Sequence, residues 1–293
     1  MIPRLILAAL ALSPAFVPGA QAASCHVPSS AYSTIKAAVN DPTCATINVA
    51  AGSYAENVQI NRSVTIRGDG QDTTIVDGTH TDRVFTITSG TVTIKGVTIT
   101  NGVGSSSPFS GGGILIQGTT LSVENSTLSG NSADDGGGIM NIGGTLSVSN
   151  SRFSENSGGG GSGGGISNNF GTLSVSNSTF SANIGGFSGG GISNNFGTLS
   201  VKNSTFSANS ANNGGGITNS GTMGVSNSTF SGNSAGQRGG GIRNGGTLSV
   251  RNSTLSGNSA GFSGGGIDNS GAMTLTRVTF ANNQPDDCAG ICP

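Results

Sequence analysis

The chain has 293 residues, of which only 9% are charged, with 12 Lys and Arg against 13 Asp and Glu. A formal net charge of −1 excludes both a strongly basic face for nucleic acid and a disordered acidic tail. Glycine is abundant, at 52 residues, but it recurs with a period, which indicates a repeat architecture rather than low complexity.

The first predicted element is a signal peptide over residues 1–22. The apolar run Leu5 to Leu12 follows one early arginine, and residues 20–22 match the small residues of a cleavage site. These features predict a secreted, extracellular protein. The alternative is a lipoprotein signal, in which Cys25 would carry the lipid. No later segment of the sequence is long and apolar enough to cross a membrane.

An N-terminal cap is predicted over residues 23–45. Ile35, Ala38 and Val39 share one face of a short helix that ends before Pro42. This helix should cover the open end of an apolar stack, as the capping units of repeat proteins do.

Two kinds of coil are predicted after the cap. Residues 46–105 contain degenerate coils made of short alternating strands such as Val64-Thr-Ile66. Residues 106–283 contain regular coils, each with a glycine triplet followed by isoleucine, and successive isoleucines are 25 to 27 residues apart. These isoleucines are Ile114, Ile139, Ile166, Ile192, Ile217, Ile242 and Ile267.

Each regular coil also carries a Leu or Met, a Val or Leu two residues later, and then a Leu or Phe. An example is Leu173, Val175 and Phe180. The local pattern is alternation, which is typical of strands and not of helices. A unit of about 25 residues cannot bury its own apolar side, but stacked units can.

Asparagines recur at two further positions of the repeat, which predicts asparagine ladders along the stack. The two columns are Asn141, Asn168, Asn194, Asn219, Asn244 and Asn269, and Asn131, Asn156, Asn183, Asn209, Asn233, Asn258 and Asn283.

The repeat predicts an all-β, single-domain, right-handed parallel β-helix with about 25 residues per coil, since parallel crossovers are nearly always right-handed. Residues 284–293 are predicted to form a C-terminal cap loop. The four cysteines lie near the two ends, and an exported protein favours two local disulfides, Cys25–Cys44 and Cys288–Cys292. A zinc site is the alternative.

The chain resembles the right-handed parallel β-helix proteins of the pectin-lyase-like superfamily. The resemblance rests on YSTIKAAVNDPTCATINVAAGSYAENVQINRSVTIRGDG, which is similar to the entry of such helices. The later coils resemble the repeats of polymorphic outer membrane proteins, because Gly137-Gly138-Ile139 and Phe153-Ser-Glu-Asn156 follow their GGA-aliphatic and FxxN scheme, with Gly replacing Ala.

The resemblance implies the fold strongly and an activity weakly, because the fold hosts lyases, hydrolases and adhesins. The sequence contains no Asn-Thr-Asp, Asp-Asp and Gly-His-Gly set of the pectin hydrolases and no Arg-Pro motif of the pectate lyases. We therefore predict no catalytic residues, no metal ligands and no cofactor. The acidic doublets Asp134-Asp135 and Asp286-Asp287 are weak calcium candidates.

Four residues are candidates for binding. Lys202 and Arg251 fall in one column two coils apart, where they either contact a polyanion or act as scattered solubilising charges. Phe170 and Phe196 occupy inserted positions of adjacent coils, where they either contact a ligand or fold back onto the coil.

Two further features complete the set of candidates. Arg243 and Asp268 are predicted to form a surface ion pair across one coil step. Three phenylalanines are predicted in glycine-rich turns, namely Phe109, Phe187 and Phe262.

The leading functional hypothesis is a secreted, monomeric, non-catalytic β-helix that binds a polysaccharide or a cell surface and binds no nucleic acid. The alternative is a polysaccharide lyase or glycoside hydrolase with an unrecognised site. A third hypothesis is ice binding by the threonine column that includes Thr179, Thr205 and Thr229.

Overall fold

The computed structural model describes residues 23–104 and 110–292. The predicted signal peptide and Phe109 lie outside the described residues. Within these two ranges, no helix has the length and apolar character needed to span a bilayer.

The described chain forms a right-handed parallel β-solenoid of about 11 turns, which confirms the predicted fold class. Each regular coil contributes strands to three main stacks, and the same position of successive coils lies in register. Leu173 pairs with Leu199, for example, and Phe180 pairs with Phe206. Alternating side chains point inward because successive residues of a strand face opposite sides.

The leucine–valine stack contains the strands that carry the Leu–Val pair of each coil. Its strands are Ala23–Val27, Cys44–Val49, Val64–Gly68, Thr91–Lys95, Thr120–Glu124, Thr145–Ser149, Thr172–Ser176, Thr198–Lys202, Thr222–Ser226 and the first halves of Thr247–Ser256 and Ala272–Ala281.

The phenylalanine stack follows it in each coil. Its strands are Gly52–Ala55, Thr74–Asp77, Thr98–Thr100, Thr127–Ser129, Arg152–Ser154, Thr179–Ser181, Thr205–Ser207, Thr229–Ser231 and the second halves of Thr247–Ser256 and Ala272–Ala281.

The isoleucine stack closes each coil. Its strands are Val58–Ile60, Phe85–Ile87, Ile114–Gln117, Ile139–Ile142, Ile166–Asn169, Ile192–Asn195, Ile217–Asn219, Ile242–Asn244, Ile267–Asn269 and Cys288–Gly290. A short serine–alanine stack, which was not predicted from the sequence, lies at the corner before the isoleucine stack. Its strands are Val103–Gly104, Ser132–Ala133, Ser210–Asn213, Ser234–Arg238 and Ser259–Ala260.

The core is one continuous column of inward side chains. Ile192, Leu199, Val201 and Phe206 of one coil are each at most 1% exposed. The Phe206 ring stacks on the ring of the next coil, Phe230, with centroids 4.8 Å apart. The inward side chains of each coil are covered by those of the coils before and after it. A coil of about 25 residues therefore buries apolar surface that it could not bury alone.

The predicted asparagine ladders are present inside the corners of the solenoid. Asn209 is fully buried, and its Nδ2 donates to Asn233 Oδ1 of the next coil at 2.9 Å and to Phe180 O of the previous coil at 3.0 Å. A serine ladder accompanies them, in which Ser178 N donates to Ser204 Oγ at 3.2 Å. These side chains satisfy backbone groups at corners where the strand ladder is interrupted.

The glycine triplets are required because the backbones of successive coils approach too closely there to leave room for side chains. Gly189 has a φ of +64°, which side chains rarely tolerate. A Cβ on Gly190 would lie 2.4 Å from Gly215 O, and one on Gly191 would lie 2.9 Å from the Phe206 ring. The backbone of one coil therefore packs directly on the backbone of the next.

The predicted capping helix spans Ile35–Asn40. The Glu56 carboxylate accepts hydrogen bonds from the backbone N–H groups of Ile35 and Lys36, both at 2.8 Å. At the other end, the Arg62 guanidinium donates to Val39 O at 2.8 Å. A helix this short is unstable alone, so these contacts and the burial of its apolar face hold it on the stack.

Asp41, directly after the capping helix, forms hydrogen bonds with residues on both sides of the helix. Its carboxylate accepts hydrogen bonds from the Tyr32 hydroxyl at 2.6 Å and from the Thr43 backbone N–H and hydroxyl at 2.8 and 2.7 Å. The Tyr32 bond first, and then the Thr43 bonds, lower the pKa of Asp41 from 3.8 to about 2.

This depressed pKa predicts acid sensitivity of the cap. The stability from ionised Asp41 is fully present above pH 3.8 and is lost as pH falls through about 2. We expect the free energy of unfolding of Asp41→Asn to fall less over that pH range than that of the wild type, as measured by urea unfolding at each pH. Tyr32→Phe should give an intermediate pH dependence. Identical slopes for all three proteins would contradict this assignment.

Both predicted disulfides are present at the ends of the solenoid, with Cα–Cα distances of 5.5 Å for Cys25–Cys44 and 6.3 Å for Cys288–Cys292. The segment predicted as N-terminal cap also contains the first strand, Ala23–Val27, and the segment predicted as C-terminal loop contains Cys288–Gly290. Both strands form because the backbone of the adjacent coil offers them hydrogen-bonding partners.

Candidate functional site

Phe170 and Phe196 form an exposed aromatic pair at the corner between the isoleucine and leucine–valine stacks. Their rings stack with centroids 5.6 Å apart and an interplanar angle of 13°. Their side chains are 71% and 70% exposed, so they do not fold back onto the coil. Most of the surface of each phenylalanine is therefore open to solvent.

The pair is held in a strained backbone conformation. The φ angles of Phe170 and Phe196 are 58° and 53°, whereas Gly118 and Gly143 occupy the equivalent place in earlier coils, with φ of 60° and 62°. A side chain in this left-handed region costs about 1–3 kcal/mol. The solenoid thus presents a large apolar side chain where its own geometry favours glycine.

Polar side chains line up beside the aromatic pair. Asn195 Nδ2 donates to Asn169 Oδ1 of the previous coil at 2.9 Å, and the Ser193 hydroxyl donates to Asn195 Oδ1 at 3.3 Å. These bonds fix the amide orientations on the outer side of the isoleucine stack.

A shallow groove of about 340 Å³ runs from these amides across the isoleucine stack, and we call it the isoleucine-face groove. Phe187, which is 63% exposed, lies on its other side. The groove is lined by Ser162, Phe187, Ser188, Asn195, Asn213, Thr218, Asn219, Ser220, Arg243 and Gly245. Its polar groups are amides and hydroxyls, with one charged side chain.

That charged side chain, Arg243, is neutralised by its neighbour. Arg243 Nη1 lies 2.5 Å from Asp268 Oδ1, and the Ser263 hydroxyl donates to the other carboxylate oxygen. The predicted ion pair between Arg243 and Asp268 is confirmed, but Asp268 does not lie on the surface, since it is only 6% exposed and the turn carrying Ser263 contacts it. The groove therefore has no uncompensated charge.

Lys202 and Arg251 lie on the outer side of the leucine–valine stack, two coils apart as predicted. Ser226 separates them, paired in register with Lys202 on one side and with Arg251 on the other. All three line one depression of about 430 Å³, together with Ser200, Asn227 and Asn252. Neither cation forms a salt bridge within the described part of the chain.

The acidic doublets have structural contacts in turns. Asp135 Oδ1 accepts from Ser162 N at 2.7 Å, Asp286 Oδ1 from Gly264 N at 2.8 Å, and Asp287 Oδ1 from Asn283 Nδ2 at 2.8 Å. Across residues 23–104 and 110–292, His, Cys, Asp and Glu side chains form no group of three or more that could hold a metal ion.

The repeat pattern did not identify Asn195, Thr218 or Gly224 as surface features. Departure from the repeat is a signal that could have found Gly224, since the equivalent position in neighbouring coils is Ser200 and Ser249. Phe262, which the sequence placed in a turn, is also exposed, but it does not line the isoleucine-face groove.

Together these features define a β-solenoid with two distinct outer surfaces, one aromatic and neutral, the other basic. No known family and no curated protein sequence matches the chain. A solved structure, the catalytic domain of a GH87 alpha-1,3-glucanase in complex with tetrasaccharides, is similar with a TM-score of 0.45 and 12% sequence identity. The similarity covers 87% of this chain and 57% of the glucanase chain.

Proposed function

We propose that this protein is a non-catalytic, extracellular β-helix that binds a neutral polysaccharide, free or on a cell surface, in the isoleucine-face groove. The observation that carries the proposal is the exposed Phe170–Phe196 stack, held in left-handed backbone beside a groove of amides and hydroxyls. The apolar C–H face of a sugar ring packs on an aromatic ring, while its hydroxyls need polar partners.

Rigidity favours this role for the aromatic pair. The backbone N–H of Phe170 donates to Asn195 O at 2.9 Å, so both coils fix the corner. A binding surface that is already ordered loses little conformational entropy when it meets a ligand. The strain at the two phenylalanines is consistent with a side chain kept for contact rather than for folding.

The neutral groove favours an uncharged ligand. Asn195, Asn213, Thr218 and Ser220 supply donors and acceptors, and the Arg243–Asp268 pair cancels the charges at one end. A groove that runs across successive coils suits an extended polymer whose own units repeat.

The charge distribution favours binding over cleavage. Glycoside hydrolysis needs two carboxyl groups on either side of the scissile bond. The carboxylate next to the groove is Asp268, and it is already engaged by Arg243 and Ser263. A polysaccharide lyase or glycoside hydrolase with its site elsewhere remains the alternative proposal.

The other parts of the proposal rest on the sequence. We propose export by residues 1–22, followed by a cap over 23–45, the β-helix over 46–283 and a C-terminal cap over 284–293. We also propose that the chain belongs to the pectin-lyase-like superfamily with repeats like those of polymorphic outer membrane proteins. It would act as a monomer and bind no nucleic acid, since the net charge is −1.

The proposal predicts that the double variant Phe170→Ala/Phe196→Ala loses polysaccharide binding. Alanine removes the stacking surface while the left-handed corner is retained. We expect affinity for the best ligand among immobilised xylan, mannan, chitin and a mixed-linkage β-glucan to fall about tenfold or more, as measured by retention on the polymer and by isothermal titration with its oligosaccharides.

Phe262→Ala is the matched control, because this side chain is equally exposed, at 71%, but lies in the turn before Ile267 and not at the corner next to Asn195. It should bind like the wild type. Equal binding by the double variant and the wild type, or no binding of the wild type to any polymer of the panel, would sink the proposal. Release of reducing ends or of unsaturated sugars during incubation would favour the enzymatic alternative.

A further inference from the structure

The leucine–valine stack departs from its own repeat at three outward positions in consecutive coils. Lys202 and Arg251 stand where Ser176 and Ser226 stand in other coils, and Gly224 stands where Ser200 and Ser249 stand. In-register stacking requires the inward residues, not these outward ones. Two preceding coils carry serine in both columns, at Ser147 and Ser174 and at Ser149 and Ser176, so three changes in consecutive coils indicate a local role.

We propose that this place is a binding site for sulfate or phosphate groups carried on a polymer. We call it the oxyanion site, and it consists of Lys202, Ser226 and Arg251, with Gly224 beside them. It is separate from the isoleucine-face groove and does not depend on the function proposed for that groove.

The geometry brings two cations and one hydroxyl to a common depression. Ser226 is the register partner of both Lys202 and Arg251. Adjacent strands lie about 4.8 Å apart, so the two cationic strands are about 10 Å apart and Ser226 lies midway between them. The side chains of lysine and arginine are long enough to reach an anion above Ser226, and all three residues line the same depression of about 430 Å³.

Both cations are available for a ligand. Lys202 and Arg251 are exposed, and no described carboxylate forms a salt bridge with either of them. Another cation of the same column, Lys95, also forms no salt bridge among the described residues, but its register partners are Glu124 on one side and Arg67 on the other. A carboxylate therefore lies one coil from Lys95, whereas the residue between Lys202 and Arg251 is the neutral Ser226.

Gly224 opens space beside the cations. A Cβ placed on Gly224 would have no atom within 4 Å, so the glycine is not needed for packing. Its missing side chain forms a notch of about 100 Å³, lined also by Ser200, Ser226, Ser249 and Arg251. The notch shares Ser200, Ser226 and Arg251 with the depression that holds the two cations.

The donor arrangement favours a tetrahedral oxyanion over a carboxylate. One guanidinium can satisfy both oxygens of a planar carboxylate in a bidentate pair. The oxyanion site instead offers donors from three successive coils, an ammonium, a hydroxyl and a guanidinium, which suits a group with three exposed oxygens. Sulfate and phosphate esters share this chemistry.

The test compares binding of the full chain to dextran sulfate, inorganic polyphosphate, polygalacturonate and neutral dextran at low salt. Lys202→Ser/Arg251→Ser restores the serine of the repeat, so the fold should persist, as checked by circular dichroism and thermal unfolding. We expect each substitution to weaken binding to dextran sulfate or polyphosphate about tenfold, since charged hydrogen bonds are among the strong ones. Gly224→Ser, which fills the notch, should give a smaller loss.

Lys95→Ser is the matched control, with the same change in the same column, and it should bind like the wild type. Phe170→Ala/Phe196→Ala should also bind the sulfated polymer normally, which separates this site from the groove. The two polyanions distinguish sulfate from phosphate as the source. Unchanged binding by the double serine variant, or equal binding of polygalacturonate by the wild type, would overturn the proposal.

Discussion

Replacing Asn209 with leucine should lower the free energy of unfolding by about 3–5 kcal/mol, because several buried polar groups of the adjacent coils lose their hydrogen-bond partners, at about 1–3 kcal/mol each. Asn209 Oδ1 accepts hydrogen bonds from Asn183 N at 3.0 Å and from Asn183 Nδ2 at 2.9 Å. Its Nδ2 donates to Phe180 O at 3.0 Å. Leucine has a similar size and keeps the packing, so the polar loss dominates.

The measurement is urea unfolding followed by circular dichroism, with Asn212→Ala as the control. Asn212 is exposed on the same coil and should change stability by no more than about 0.5 kcal/mol. Because neighbouring coils stabilise each other, the variant can also unfold in two steps, with the break at the altered coil. Equal stability of Asn209→Leu and Asn212→Ala would show that the ladder contributes little.

The second large effect is expected for Gly190→Ala. A Cβ at this position would lie 2.4 Å from Gly215 O and 2.6 Å from the backbone N and O of Ser210. These atoms belong to the next coil and cannot rotate away, so the two coils must separate locally. We expect a loss of about 3 kcal/mol, at the upper end of the usual cost of overpacking, measured by the same unfolding experiment.

Gly224→Ala is the counterpart, since its Cβ would meet no atom within 4 Å. Alanine in a strand loses less conformational entropy on folding than glycine, so this variant should be as stable as the wild type or slightly more stable. Similar losses for both glycines would mean that glycine acts through the unfolded chain and not through contact between coils.

The solenoid was predictable from the sequence because its fold is determined by a period. A strand that pairs in register with a copy of itself places identical side chains next to one another. The spacing of Ile192, Leu199 and Phe206 therefore predicts which residues of successive coils are in contact. The same reasoning predicted the asparagine ladders. The cysteine pairs were predictable because each pair is close along the chain, at separations of 19 and 4 residues.

The surfaces were only partly predictable. The sequence placed Phe170 beside Phe196 and Lys202 near Arg251, because register follows from the repeat. It did not determine that the two rings point into solvent. It also did not determine that Asp268 is buried, or that Gly224 opens a notch instead of allowing a close backbone approach as Gly190 does.

The sequence by itself determined the order and register of the regular coils, because inward side chains obey a repeat that every neighbour must match. Only the tertiary structure decided which outward side chains are free, paired or covered. Their exposure depends on contacts with neighbouring turns, as for Asp268 beside Ser263, and on left-handed backbone at corners, as for Phe170. No local sequence pattern specifies those contacts.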